Sequence, residues 1–241
     1  MKRLIDVLVS FFGLLLFGPV LVIFLLLIWL QDFHSPFYIA PRMRRKGLRF
    51  DMFKLRSMVV NASQIGGTST AVTDNRITWV GRMIRRYKLD EFSQLWNVLI
   101  GDMSLVGPRP QTERDASLYS DEEDHLFEVR PGITDFSSIV FSDEGDILAG
   151  SNNADLMYNQ VIRPWKSRLG LFYVYNHNIW IDLQVIILTV ISIVSRPIAL
   201  KGVQRILKKL GASESLIEIS GRSVLLAPSP PPGYEVVETR Y

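Results

Sequence analysis

Cysteine is absent from this chain of 241 residues, and histidine occurs only three times. Without a thiol there is no disulfide framework, no zinc–thiolate centre and no cysteine nucleophile, which fits a reducing compartment. His34, His125 and His177 are scattered and read as surface or structural residues, so serine-triad hydrolysis finds no support. The sequence has no Walker loop, no GxGxxG, no HExxH and no GxSxG, and no internal repeat. Charge is also missing, and from one place in particular: residues 7–30 carry none, while Leu, Ile, Val and Phe dominate them.

The length suits one domain, or one domain with appendages, and is enough to bury a real core. A net charge of +3 is modest, but its placement is uneven. Arg42, Arg44, Arg45, Lys46, Arg49, Lys54 and Arg56 crowd one tract, opposed only by Asp51. Arg82, Arg85, Arg86 and Lys88 form a second cluster. A single charge run reads as a solvated face. Two clusters, one close behind an apolar segment, point to anionic lipid head groups or phosphate ligands.

As a helix, residues 7–30 would reach about 36 Å, enough to cross a hydrocarbon core of about 30 Å. A cleaved signal peptide fits less well, because the apolar region is too long and no small-residue cleavage site follows it. Gly18-Pro19 sits at the middle, where proline removes a backbone donor and bends or breaks a helix. Lys2 and Arg3 before the segment and the arginine tract after it give the positive-inside rule no asymmetry. A spanning helix and a re-entrant helix–break–helix therefore both remain open from these residues. A second apolar stretch, residues 179–194, contains Asp182, Gln184, Thr189 and Ser192. It is too short and too polar to span and reads as a surface amphipathic or buried core helix.

Between these stretches, residues 37–40 and 48–54 suit short strands, with Lys46-Gly47 as a turn. Helical patterns cover residues 77–86 and 91–100, the latter with Phe92, Leu95, Trp96 and Leu99 at the spacing of one face. Residues 111–119 and 121–129 read as polar surface helices, and residues 153–162 and 168–175 as further helices. Past Leu225 the chain is rich in proline and reads as an extended tail or linker. The expectation is an α+β, mainly helical, membrane-associated domain with a small β element and surface amphipathic helices. It divides into an N-terminal membrane helix over 1–35, a cytoplasmic domain over 36–210 and a C-terminal extension over 211–241.

The residues that carry chemistry lie in KLDEFSQLWNVLIGDMSLVGPRP, residues 88–110. Asp90 and Glu91 open a helix, where a carboxylate faces unpaired N–H groups and stays ionised. Alone, this is ordinary helix grammar. Arg85 and Arg86 lie just upstream, Lys54 and Arg56 close the basic tract, and Arg109 is locked between Pro108 and Pro110. An acidic pair ringed by cations makes a poor metal site unless metal and polyphosphate arrive together. Mg²⁺ takes few protein carboxylates plus phosphate oxygens, and arginine forks onto phosphate. The set suggests phosphoryl transfer, with an acyl-phosphate on an aspartate as one option.

Residues 89–110 closely resemble the signature of the bacterial sugar transferases, the monotopic phosphoglycosyl transferases. FKLRSM (residues 53–58) resembles that family's K-F-R-S-M element, and VRPGIT (residues 129–134) its R-P-G-I-T element. The apolar N-terminus with a central proline is similar to the family's re-entrant membrane helix, whose break would fall at Gly18 and Pro19. The resemblance implies transfer of a sugar-1-phosphate from a UDP-sugar to undecaprenyl phosphate at the cytoplasmic face of the bacterial inner membrane, with release of UMP. It implies Asp90 as nucleophile and Mg²⁺ contact, Glu91 as metal or base assistant, Arg56 and Arg85 as phosphate binders, and Arg109 as part of the nucleotide pocket, with Lys54 beside them. The expected partners are the UDP-sugar, undecaprenyl phosphate and membrane lipid, and no nucleic acid; homo-oligomer formation stays open.

The chain also departs from the family pattern. DFSSIV follows residue 134 in place of the usual GWAQVxGR, and Gly170 stands where many members have an acid ahead of an aromatic pair. Asp143, Glu144, Arg163 and Arg168 are candidate substitutes in that half of the pocket. The absence of a preceding multi-span bundle leans toward an N-acetylated amino sugar. Two other readings compete: a non-catalytic scaffold of an envelope-polysaccharide complex, and a glycosyltransferase releasing UDP, for which the length leaves little room.

Overall fold

A run of 31 residues with Lys2 and Arg3 at one end and Asp32 at the other forms a single helix, α1 (Lys2–Asp32), in the computed structural model. The structure describes residues 1–65, 74–149, 151 and 153–235. Pro19 lies inside α1, and the helical assignment continues past it. Both ends of α1 are tied to the same body. The ammonium of Lys2 donates to Val106 O, Tyr173 Oη and Asp182 Oδ2 at 2.9, 2.9 and 2.7 Å. Arg3 donates from Nη1 and Nη2 to Val98 O and Leu99 O. At the far end Arg56 grips Asp32 with two hydrogen bonds of 2.5 and 2.6 Å. Between them Asp6 and Ser10 are buried, as are Leu21 and Ile28.

After α1 a hairpin forms as its alternation suggests: β1 (Phe37–Arg44) pairs antiparallel with β2 (Leu48–Leu55) through a tight turn at Arg45–Gly47. A one-turn helix, α2 (Ala62–Ile65), follows. Then come α3 (Trp79–Arg86), α4 (Leu89–Ser93) and α5 (Leu95–Ile100). The stretch expected as one helix over 91–100 is therefore two, with the break at Gln94. That break turns Trp96 outward and brings Asn97 inside, while Leu95 of the face read from the spacing is buried and Phe92 and Leu99 are half-buried.

Strand β3 (Ser104–Val106) pairs in parallel with β4 (Gly132–Thr134), with α6 (Glu113–Ala116) and α7 (Asp121–Asp124) in the connection. A carbon added at Gly132 would sit 2.1 Å from the backbone nitrogen of Gly107, so the two chains cross where only glycine fits. The GPRP turn and the RPGIT stretch thus form one structural unit.

The rest is helical: α8 (Phe136–Val140), α9 (Glu144–Leu148), α10 (Ala154–Met157), a π-turn at Tyr158–Ile162, α11 (Arg163–Asn176), α12 (Ile179–Val194), α13 (Arg196–Lys209) and α14 (Glu214–Gly221). The main core joins Phe50 and Met52 of the hairpin to Phe136, Leu169, Tyr173, Val185 and Val203. A second cluster packs Leu21 and Ile28 of α1 on Leu55, Val80, Ile84 and Leu89. Two sequence expectations change here. Leu216 and Ile219 of α14 join the main core, so packing runs past residue 210 to the end of that helix. The proline-rich segment is also docked rather than free as far as the described residues reach, with Pro231 and Pro232 buried. Residues 236–241 of the expected tail lie outside the described residues.

Candidate active site

Lys88 takes a left-handed conformation, φ 52°, and caps α4, which places Asp90 and Glu91 in the first turn. Backbone N–H groups unpaired at that turn favour negative charge. The turn is fixed from behind: Ser93 Oγ donates to Asp90 O at 2.7 Å and to Phe53 O at 3.0 Å. Asn97, fully buried, donates to Asp51 O and accepts from Phe53 N, at 2.7 and 2.9 Å, so α5 is stitched to β2. The next residue on β2 is Lys54, which brings the acidic pair and the lysine to one place. Among the described residues, no side chain or backbone N–H donates to either carboxylate of the pair, and no cluster of three or more acidic or histidine groups could hold a metal.

Cations surround the pair. Burial and the neighbouring Arg109 lower Lys54 to about 8, while Asp90 and Glu91 pull the other way. Burial lowers Arg85, opposed by Asp90 and Asp74, and its Nε donates to Ser57 Oγ at 3.0 Å. Arg109 projects into solvent from a cleft crowded by protein. The crowding disfavours its charge, but the carboxylates of Glu91, Glu144 and Asp90 hold it above its ordinary value. Asp90 is therefore within electrostatic reach of Lys54, Arg85 and Arg109, and Glu91 of Lys54 and Arg109.

Arg56 is placed differently. Its Nε donates to Ser35 O at 2.7 Å and its two terminal nitrogens to Asp32, an arrangement that secures the end of α1. Arg42, read only as part of a basic tract, joins the site: burial and Arg109 both lower it.

Beyond Arg109 a cleft is walled by Gln111, Tyr119, Tyr158, Arg163, Lys166 and Ser167. Burial raises both Tyr119 and Tyr158, so both remain neutral phenols. Lys166 lies over the Tyr158 ring, 5.4 Å from its centroid, and an ion pair with Glu144 holds it as a cation against the cost of burial. Of the four candidate substitutes, Arg163 lines this cleft and Glu144 acts on Arg109. Asp143 instead pairs with Arg196 and Arg222, and Arg168 donates to Pro230 O. Gly170 also lines the cleft, and a side-chain carbon there would come within 2.7 Å of Leu126 Cδ2. Tyr119, Tyr158 and Lys166 carry no local sequence signal; only their meeting, from the loop before α7, the π-turn and α11, marks them.

The profile of the bacterial sugar transferases matches residues 1–196. The chain belongs to the bacterial sugar transferase family. Among curated relatives, it is 34% identical over 196 residues to the undecaprenyl-phosphate glucose phosphotransferase of Komagataeibacter xylinus, covering 78% of this chain and 35% of that protein. It is 30% identical over 211 residues to the UDP-galactose-lipid carrier transferase of Erwinia amylovora, covering 81% and 41%. It is 29% identical over 201 residues to the UDP-N-acetylgalactosamine-undecaprenyl-phosphate N-acetylgalactosaminephosphotransferase of Aeromonas hydrophila, covering 80% and 44%. The chain spans about two fifths of the length of these relatives. The family match takes in the acidic pair, the arginine turn, the cleft and all of α12.

Proposed function

We propose that this bacterial sugar transferase moves a sugar-1-phosphate from a UDP-sugar to undecaprenyl phosphate at the cytoplasmic face of the membrane, through a covalent intermediate on Asp90. The observation that carries the reading is an acidic pair without hydrogen-bond donors among the described residues, set among Lys54, Arg85 and Arg109. In the first step an oxygen of Asp90 attacks the β-phosphorus of the donor. The bond from that phosphorus to the bridging oxygen breaks, and UMP leaves with the oxygen. In the second step a phosphate oxygen of undecaprenyl phosphate attacks the same phosphorus and displaces Asp90, leaving the polyprenyl diphosphosugar.

The surrounding residues serve this course by electrostatics and position. Lys54 and Arg85 neutralise the phosphoryl oxygens that would otherwise repel a carboxylate. Arg109 holds the nucleotide end of the diphosphate at the mouth of the cleft. Asp90 and Glu91, which belong to no cluster of three or more acidic or histidine groups among the described residues, fit Mg²⁺, which takes few protein carboxylates and completes its shell with phosphate and water. Bound there, Mg²⁺ would supply charge neutralisation for the leaving phosphate.

Membrane lipid is the third partner in this reading. The ends of α1 are about 46 Å apart along its axis, and both are bound to one body, so α1 lies against the domain as a re-entrant or surface-lying anchor. Its outer face shows Phe12, Leu15, Leu16, Ile23 and Leu30. Trp29, Trp79, Trp96 and Trp180 are all exposed, as interfacial tryptophans are. The acceptor's phosphate lies at that interface, where α4 can reach it.

The relatives' names include glucose, galactose and N-acetylgalactosamine, so the test uses UDP donors of all three. Detergent-solubilised protein with undecaprenyl phosphate and Mg²⁺ should release UMP with one of them. Release should stop with EDTA and fall by about a thousandfold or more in Asp90→Asn. UDP in place of UMP would identify a glycosyltransferase instead, and no release with any donor would favour the scaffold reading.

A further inference from the structure

The family match ends at residue 196, yet the described chain continues to residue 235, and its last stretch is docked with specific geometry. Ser229 N donates to Gln160 O at 3.0 Å. Arg168 Nη2 donates to Pro230 O at 2.7 Å, and Ser120 Oγ donates to Pro232 O at 2.7 Å. Tyr234 N closes a turn on Pro231 O at 3.1 Å. Gly233 has φ +76°, and a side-chain carbon there would stand 2.7 Å from Ser120 Oγ and 2.9 Å from its Cβ. Proline brings no N–H to satisfy and fixes its own φ, so three prolines in a row can offer carbonyls to these donors at little cost in chain entropy.

Each of the three legs stands on an element, or beside a residue, that walls the cleft behind Arg109: Ser120 next to Tyr119, Gln160 on the π-turn and Arg168 on α11. Ser120 is the N-cap of α7, in a reciprocal capping box with Glu123. Glu123, fully buried, accepts from Arg163 Nη2 at 2.5 Å and from Ser167 Oγ at 2.6 Å. Arg163 in turn lies over the Tyr119 ring, 5.1 Å from its centroid. Gln160 belongs to the π-turn that begins with Tyr158, and Arg168 follows Ser167 on α11. Tyr119, Tyr158, Arg163 and Ser167 all line the cleft.

We propose that residues 226–235 are a built-in brace for the donor cleft, a positioning segment that holds the wall formed by Tyr119, Tyr158 and Arg163 in register with Arg109. The role of the cleft in donor binding rests on the function proposed above; the bracing does not. With the brace displaced, the buried Glu123–Arg163 pair loses the group that fixes its cap, and the wall samples looser arrangements. Donor affinity then weakens while the acidic pair, held by Ser93 and Asn97, stays in place.

The test compares the full chain with Gly233→Val, which cannot keep φ +76° or the contact with Ser120, and with Leu225→Ala, whose side chain is 97% exposed. Backbone hydrogen exchange at residues 118–124 and 158–168 should quicken by about fivefold or more in Gly233→Val alone, with α12 and α13 unchanged. The donor KM should rise by about fivefold while kcat and the acceptor KM stay within about twofold. A synthetic peptide of residues 227–235 added in trans should restore part of the donor KM. Where Gly233→Val does not fold, Arg168→Met removes one leg and should move the same readouts less. Unchanged exchange in a folded variant overturns the brace, and faster exchange with an unchanged donor KM overturns its role in donor binding. If wild type turns over no donor, the proposed reaction fails, and the exchange data alone decide whether the brace exists.

Discussion

Single residues set the pH behaviour of the site. Lys54 carries its charge below about 8 and loses it as pH rises through that value, since burial and Arg109 favour the neutral form. The phosphate cation is therefore lost on the alkaline side. The unfolded chain still binds that proton between about 8 and 10.5, so folding stability rises across the same window. The donor KM should climb as pH passes 8 in wild type, and Lys54→Arg should flatten that limb; an identical limb in the variant would remove Lys54 from the donor site. Asp32 behaves in the opposite sense. The hydrogen bonds from Arg56 lower it to about 2, so its contribution is complete above its ordinary value near 3.8 and disappears as pH falls through about 2. Because that carboxylate is partly exposed, Asp32→Asn should cost only about 1 kcal/mol near neutrality, read as a small drop in thermal midpoint.

Elements fail in larger steps, because buried polar stitching and close backbone crossings leave no room to relax. Asn97→Ala would strand Asp51 O and Phe53 N beneath α5, a loss of about 2 kcal/mol or more that should lower the thermal midpoint and the turnover together. Gly132→Ala drives a carbon to 2.1 Å from Gly107 N and separates β3 from β4. It should cost about 3 kcal/mol, and a variant melting like wild type would mean that the two strands do not cross this closely. Legibility in the sequence followed the same division. The hairpin, α3 and α12 were readable because alternation and 3.6-residue spacing are local. The break at Gln94 was not, because it answers to β2, which needs Asn97 inside; nor was the ion pair of Arg56 with Asp32, since nothing near Arg56 in sequence shows that partner across the fold.

At the scale of the molecule, an apolar helix lies along a domain that binds both its ends. A cysteine-free chain allows a direct topological test. Ser35→Cys and a cysteine appended at the N-terminus should both react with an impermeant maleimide in inside-out vesicles and neither in intact cells. Opposite labelling of the two would establish a spanning helix. The sequence alone determined what depends on composition and neighbours: a membrane-seeking first helix, a helical body with a small hairpin, an acidic pair at a helix start and a proline-locked arginine. Tertiary structure alone decided which cations face the pair, that Arg56 anchors α1, that Tyr119, Tyr158 and Lys166 share a cleft, and that the prolines at 230–232 are docked. Those outcomes rest on contacts between residues distant in the chain, and a buried ion pair or a carbonyl offered to a far-off arginine leaves no periodic trace in the residues that make it.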